Sequence, residues 1–350
     1  MVANSSLLII GNGFDLQCGL KSSYVDFFEW LRQNWAKSKN NLWVQHFLNN
    51  PPSEQGWIDI EHSLLQAIDS SKRYGSKIDN WKKEFEEMNK MLHGYSTKSP
   101  ESQYMIEIAR GKGGVNFPFT PHWFLEELKA FELLFSMYLK AEVSSNANYL
   151  HNADKLTRMI TNGEKAEIIS FNYTNPFVDN NSNQNEKKLS DIISRVTNVH
   201  GTYDKDNIIF GVDTTEELPL DVHIFTKTHR KMLQDSYSSA LPWYVTKVKF
   251  YGHSLGKADY SYFQSVFDNY NLYGSDLAFG QPRNEQVVLQ FYFTIFDDSK
   301  KADIVRDAID RVYRLITIYG GTLDNKDKGK NLLHKLLLEG RLQIKFLHNI

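Results

Sequence analysis

At 350 residues, with 41% hydrophobic and 13% aromatic side chains, the chain carries enough apolar surface for one large core or two modest ones. Forty Lys and Arg stand against 42 Asp and Glu, a formal charge of -2, which excludes a global basic field toward nucleic acid or anionic membrane and leaves only a local patch open. The single cysteine, Cys18, excludes an intrachain disulfide and a structural zinc site of several thiolates.

The aliphatic run at residues 7–10 closes on Gly11-Asn12-Gly13, and residues 24–31 have helical spacing, so the chain opens as strand, tight turn, helix. Between about residues 35 and 163 no comparable strand run occurs. Helical patterns at 81–92 and 123–139 are broken there by "NNPPSEQG" and "GKGGVNFPFTPH". Strand-like runs resume at 167–171, 197–200, 208–211, 245–251, 287–296 and 342–347, with helical patterns at 261–270, 301–318 and 330–338 between the later ones. That alternation predicts an α/β fold with a Rossmann-like, mostly parallel sheet. The domain reading is a core of residues 1–34 and 164–350 interrupted by a helical insertion at 35–163. The polar "DNNSNQNEKK" at 179–188 reads as a mobile surface loop, and no internal repeat is found. No stretch reaches the roughly 18 to 20 apolar residues that span a bilayer, and residues 1–6 lack signal-peptide character, so a soluble cytoplasmic protein is expected, with no membrane partner.

In an open parallel sheet, ligands bind at the carboxyl ends of the strands, and four predicted strand ends carry polar groups. The first, Gly11-Asn12-Gly13-Phe14-Asp15, leads into a helix whose N-H groups could meet a phosphate, although such a turn also serves simple packing. The second ends in Asn172 and the third in His200, which could equally be a hydrogen-bonded core histidine. At the fourth, Gly252-His253-Ser254 closes a strand and Asp259 stands at the next helix start, where it could be only a cap. The recurrence of polar clusters at successive strand ends predicts one shared crevice. A carboxylate aimed at a pyrophosphate about 4 Å away would oppose it by about 4 kcal/mol at an effective dielectric near 20. Asp15 is therefore expected to face elsewhere, capping the helix, accepting from ribose hydroxyls or supporting a residue that does.

The stretches "IIGNGFDLQCGLKSSYVDFFEW", "WIDIE", "IISFNYT", "NVHG", "IIFGVD" and "YGHSLGKADYSYF", in that order, resemble the bacteriophage abortive infection family AbiH. The resemblance implies a role in phage defence, with a phage product as a candidate trigger. At greater distance the order of glycine turn, strand-end asparagine, histidine-glycine and glycine-x-serine is similar to SIR2-like NAD-consuming proteins. That similarity implies a phosphate loop at Gly11, Asn12 and Gly13, catalysis by Asn172 and His200, and dinucleotide contacts from Gly252 and Ser254. Asp15 and Asp259 join the nucleotide-binding set. Thr174 stands where that superfamily often has an acid, and the cysteine zinc ribbon of its deacylases is absent. The implied chemistry is therefore hydrolysis or transfer at the nicotinamide glycosidic bond, with NAD as substrate or ligand and no metal.

Two other classes stay open at this stage. A nuclease would hold a divalent metal through Asp59, Glu61, Asp213 or Asp259. A non-catalytic module would sense a nucleotide or bind a partner through the helical insertion. In any of the three readings the chain could act as a homo-oligomer.

Overall fold

The computed structural model describes residues 5–34, 41–49, 64, 121–177, 188–212, 222–234, 239–256, 259–274 and 286–348. Its first strand, β1 (Ser5–Ile10), explains the unbroken apolar run: Leu7 and Ile9 enter one core, Leu8 and Ile10 another, and all four are fully buried. A strand apolar on both sides belongs inside a parallel sheet covered on both faces. The strands β2 (Lys165–Ser170), β3 (Ile193–Asn198), β4 (Lys247–Tyr251), β5 (Val288–Ile295) and β6 (Leu342–His348) complete it. The order is β3-β2-β1-β4-β5-β6 and every neighbouring pair is parallel. This is the doubly wound, Rossmann-like order, and it reverses direction between β1 and β4.

The short α1 (Gly13–Gln17) follows β1, and α2 (Tyr24–Gln33), α3 (Leu42–Asn49), α4 (Pro121–Ser145) and α5 (Tyr149–Thr161) precede β2. Then come α6 (Leu189–Ile192), α7 (Lys227–Met232), α8 (Tyr260–Asn269), α9 (Lys301–Thr322) and α10 (Lys326–Leu338). One sheet face packs against Phe263 and Phe267 of α8, Leu315 and Ile316 of α9 and Leu332 and Leu336 of α10. The other packs against Phe14 of α1, Tyr149, Leu156 and Ile160 of α5 and Leu189 and Ile192 of α6. Lys249, paired with Leu8 across β4 and β1, is an exception on that second face. Its buried Nζ donates to the carbonyls of Ile160 (3.0 Å) and Thr161 (3.1 Å) and meets the Glu164 carboxylate (3.1 Å). The ammonium thus supplies partners to the last carbonyls of α5, which would otherwise lack them.

The described chain divides into two units, Met1–Ser22 with Glu142–Thr202 and Tyr237–Ile350, and Ser23–Ala141 with Tyr203–Ser236. The first contains the whole sheet. The second has an aromatic core in which Tyr24, Phe27, Phe131, Phe135 and Phe210 pack with ring centroids 4.8 to 5.6 Å apart. Its one fully enclosed ion pair joins Glu132 of α4 to Arg230 of α7 among the described residues, and the pair also clasps Phe210: the Phe210 N-H donates to Glu132 (2.6 Å) and Arg230 donates to the Phe210 carbonyl (2.7 Å).

Residues 208–211 are not a strand. They are an extended segment of the second unit held by Glu132 and Arg230, and beyond them Val212 makes only an isolated bridge to Thr226. β3 begins four residues earlier than its apolar pattern suggested, and ends at Asn198, so His200 stands in the turn beyond it. The predicted helix at 81–92, the loop at 179–188 apart from Lys188, and Asp59, Glu61 and Asp213 lie outside the described residues.

Candidate active site

The loops that leave β1 and β4 meet where the strand order reverses. Gly11 N-H donates to the Tyr251 carbonyl (3.1 Å) and Gly13 N-H to the Gly252 carbonyl (2.8 Å). A Cβ on Gly11 would stand 2.7 Å from His253 Cα, and one on Gly13 2.8 Å from Gly252 Cα. Gly252 itself has φ 66°, and a Cβ there would overlap the Phe14 amide. The glycines are therefore required for the two turns to close on each other, whatever else they contact. Asn12 is tied locally, accepting from the Ser22 hydroxyl (2.6 Å).

Asp15 turns inward. Its Oδ1 accepts from the Tyr149 hydroxyl (2.8 Å) and its Oδ2 from the Thr174 hydroxyl (2.7 Å), and the residue is 1% exposed. Burial lifts its carboxyl from the ordinary 3.8 to about 6, against the opposing pull of donors on Thr174, Tyr149 and Asn172. Burial and the neighbouring Asp15 charge also push the Tyr149 phenol well above its usual range, so it stays a donor. The carboxylate thus ties α1, α5 and the loop after β2 together and caps no helix.

Asn172 sits on that loop, 2% exposed; its amide is near enough to the Asp15 carboxylate to help hold that group's pKa down, yet among the described residues neither its oxygen nor its nitrogen completes a hydrogen bond of normal geometry. Its backbone is fixed nonetheless. The Asn198 amide donates to the carbonyls of Asn172 (2.9 Å) and Thr174 (2.8 Å), and the Ser170 hydroxyl accepts from Asn172 N-H (3.2 Å). Buried polar groups are almost always paired with protein or ordered water, so an amide held in this way is a place where a water or a ligand would bind.

The neighbouring Phe171 connects the remaining loops, its ring centroid lying 5.6 Å from His200 and 4.7 Å from His253. Asp259 precedes α8 but makes no capping bond to it; Oδ2 is 3.3 Å from His253 Nε2 and Oδ1 is 3.9 Å from His200 Nε2. Leu255 N-H donates to His253 Nδ1 (2.9 Å). An imidazole that accepts at Nδ1 carries its proton at Nε2 when neutral, so Nε2 of His253 stands beside Asp259 as an N-H and offers no lone pair to a metal. No group of three or more metal-ligating side chains occurs among the described residues.

The predicted residues thus fall into two linked clusters: Asp15 with Asn172, and His200 with Asp259, with the glycine turns of β1 and β4 between them. Ser254 stays apart, exposed, its hydroxyl accepting from Gly256 N-H (3.3 Å). Sequence reasoning missed Tyr149 and His253. His253 stood in the "YGHS" strand end, where the residue type itself was the signal; Tyr149 gave none, since it lies 134 positions from Asp15.

A model of the family described as bacteriophage abortive infection AbiH matches residues 7–279. The chain belongs to that family. The AbiH match covers β1 to β4 and every residue of both clusters, and it ends before β5, α9, α10 and β6. Its family description places the chain in phage defence. No curated protein and no solved structure matches it. Among the described residues, no helix is long and apolar enough to cross a membrane.

Proposed function

We propose that this AbiH chain is a defence enzyme that binds NAD or a related nucleotide at the carboxyl ends of β1 to β4 and hydrolyses the nicotinamide glycosidic bond. The observation that carries the reading is the buried amide of Asn172, which completes no hydrogen bond of normal geometry, on the loop after β2 beside the point where the strand order reverses. The order of motifs shared with SIR2-like proteins supports the same substrate class. The glycine spacing adds little support, because loop packing already accounts for it.

In this reading the bond between ribose C1′ and the pyridinium nitrogen breaks and its electron pair leaves with neutral nicotinamide. Water adds at C1′, and its proton passes to His200 and on to solvent. Asn172 places the water or a ribose hydroxyl. Asp15 stands behind it, holding the loop through Thr174 rather than meeting the substrate. Loss of NAD would halt an infected cell, which links the chemistry to abortive infection.

The test is incubation of purified protein with NAD, with and without a divalent metal, and product analysis by mass. ADP-ribose and nicotinamide are expected, and His200→Ala should lower turnover by about 10² to 10⁴ with little change in melting temperature. If NAD survives both conditions while Asn172→Ala and His200→Ala abolish phage protection, the crevice serves another reaction.

A further inference from the structure

We infer that Asn198 is a positioning residue: its side-chain amide locks the loop that carries Asn172 onto the strand that delivers His200, so that the two groups are held as one unit before a ligand arrives. The inference rests on Asn172 and His200 acting together in the reaction proposed above, and it adds a residue to which that reading gives no role.

Asn198 ends β3 and pairs with Ser170, the end of β2. The ladder continues for one more bond, from Val199 N-H to the Ser170 carbonyl (2.8 Å), and then the two chains part. One enters the loop of residues 171–174, and the other passes His200 and turns at Gly201, whose φ is 81°. Carbonyls that leave a ladder lose their partners, and buried ones need replacements. Among the described residues no backbone N-H reaches the carbonyl of Asn172 or of Thr174. The Asn198 Nδ2 donates to both, at 2.9 and 2.8 Å. An amide nitrogen has two hydrogens, so both are committed, and two carbonyl partners leave no choice of which end of the amide faces them. The two carbonyls flank the buried Tyr173, so one planar group grips the loop at two points and removes its freedom to pivot. Asp15 holds the same loop through the Thr174 hydroxyl (2.7 Å), and the Ser170 hydroxyl holds it at Asn172 N-H (3.2 Å). Of these three side-chain ties, only Asn198 belongs to the strand that leads to His200, two residues further on. It therefore sets where the Asn172 loop lies relative to the imidazole.

Asn198→Asp keeps the shape but has no hydrogen to give, and it sets a carboxylate against two carbonyl oxygens. Asn198→Ala removes the group. Gly163→Ala is the control for stability, because it strains the turn into β2 (φ 72°) at the end of that strand away from the loop and meets no atom within 4 Å. Phage plating efficiency and melting temperature are measured for each. Both Asn198 variants should lose roughly 10²-fold of protection, the scale expected when a reacting group is misplaced, while Gly163→Ala protects as the wild type does even where it melts lower. Loss that follows melting temperature across the three variants overturns the inference, and so does full protection by Asn198→Asp. Where NAD is turned over, the loss should fall on kcat with KM nearly unchanged; a raised KM at constant kcat would show a binding role and overturn positioning. Should both Asn198 variants fail to fold, the wild-type protein decides. With both hydrogens bonded, the ¹⁵N-labelled side-chain amide of Asn198 should exchange with deuterium slowly, and exchange at the rate of an exposed amide refutes the clamp. Plating and exchange do not involve NAD, so a chain that protects cells yet spares NAD refutes the proposed reaction and still decides the role of Asn198.

Discussion

Replacing Asp15 by asparagine should stabilise the fold and abolish its function. Asp15 is fully enclosed, and burial raises its carboxyl from 3.8 to about 6. Below the unfolded value both states hold the proton and the group contributes no penalty. As pH rises toward 6, the unfolded chain ionises while the native chain still binds its proton, so native stability falls. Above the folded value the loss levels off, and a shift of about 2 units corresponds to about 3 kcal/mol. Asparagine imitates the protonated acid, with one acceptor and one donor side, and the hydroxyl of Thr174 or Tyr149 can turn to accept. Asp15→Asn should therefore be more stable than wild type by about 1 to 3 kcal/mol at neutral pH, with the difference shrinking toward zero near pH 4. Urea unfolding of both proteins across this range measures it, because subtraction cancels the other carboxylates. A variant that is less stable at neutral pH, or a difference that does not change between about pH 4 and 6, would refute the account of a carboxylate retained at the expense of stability. Loss of phage protection in the stabilised variant would identify what is gained in exchange.

Asn172→Leu removes a buried amide that completes no hydrogen bond of normal geometry, so the ligand-free protein should melt higher, by about 1 kcal/mol or more in stability, while phage protection is lost. Gly252→Ala should lower stability by about 2 kcal/mol or more in a thermal melt, since it adds both strain and overlap with Phe14. Gly163→Ala is its control: φ is 72° but no atom lies within 4 Å of the added carbon, so only the backbone strain of about 1 to 2 kcal/mol applies. Arg230→Met strands the buried Glu132 carboxylate and should cost about 3 to 5 kcal/mol, again by melting, whereas the surface pair Lys140 and Asp206 should be nearly silent when broken.

The sheet was legible in the sequence wherever a strand is buried on both faces. β1 and most of β5 are short apolar runs because parallel strands in the middle of a doubly wound sheet have no solvent side, and β4 keeps Val248, Phe250 and Tyr251 around the buried Lys249. β3 was partly hidden for the opposite reason: it is an edge strand, and Arg195, which pairs with Glu167 of β2, interrupts its apolar pattern. Residues 208–211 misled because an extended apolar segment has the same composition whether it joins a ladder or rests against a buried ion pair. At the site, Asn172, His200 and Asp259 were readable because polar residues at strand ends are out of place in a packing pattern. The direction of Asp15 was not, since Tyr149 and Thr174 reach it from 134 and 159 positions away. No local rule encodes partners at such separations.

The central place of β1 also sets a timetable for synthesis. It is synthesised before both of its neighbours, and each follows only after a long interval: contacts with β2 span 159 positions and those beside the start of β4 span 241. At 5 to 20 residues per second, the second neighbour appears roughly ten to fifty seconds after the first strand. Throughout that interval Leu7 to Ile10, four aliphatic residues meant for two different cores, have no completed surface to cover them. A nascent chain built this way depends on being shielded while it waits, and its yield in a cell should respond to chaperone supply more strongly than its final stability would suggest.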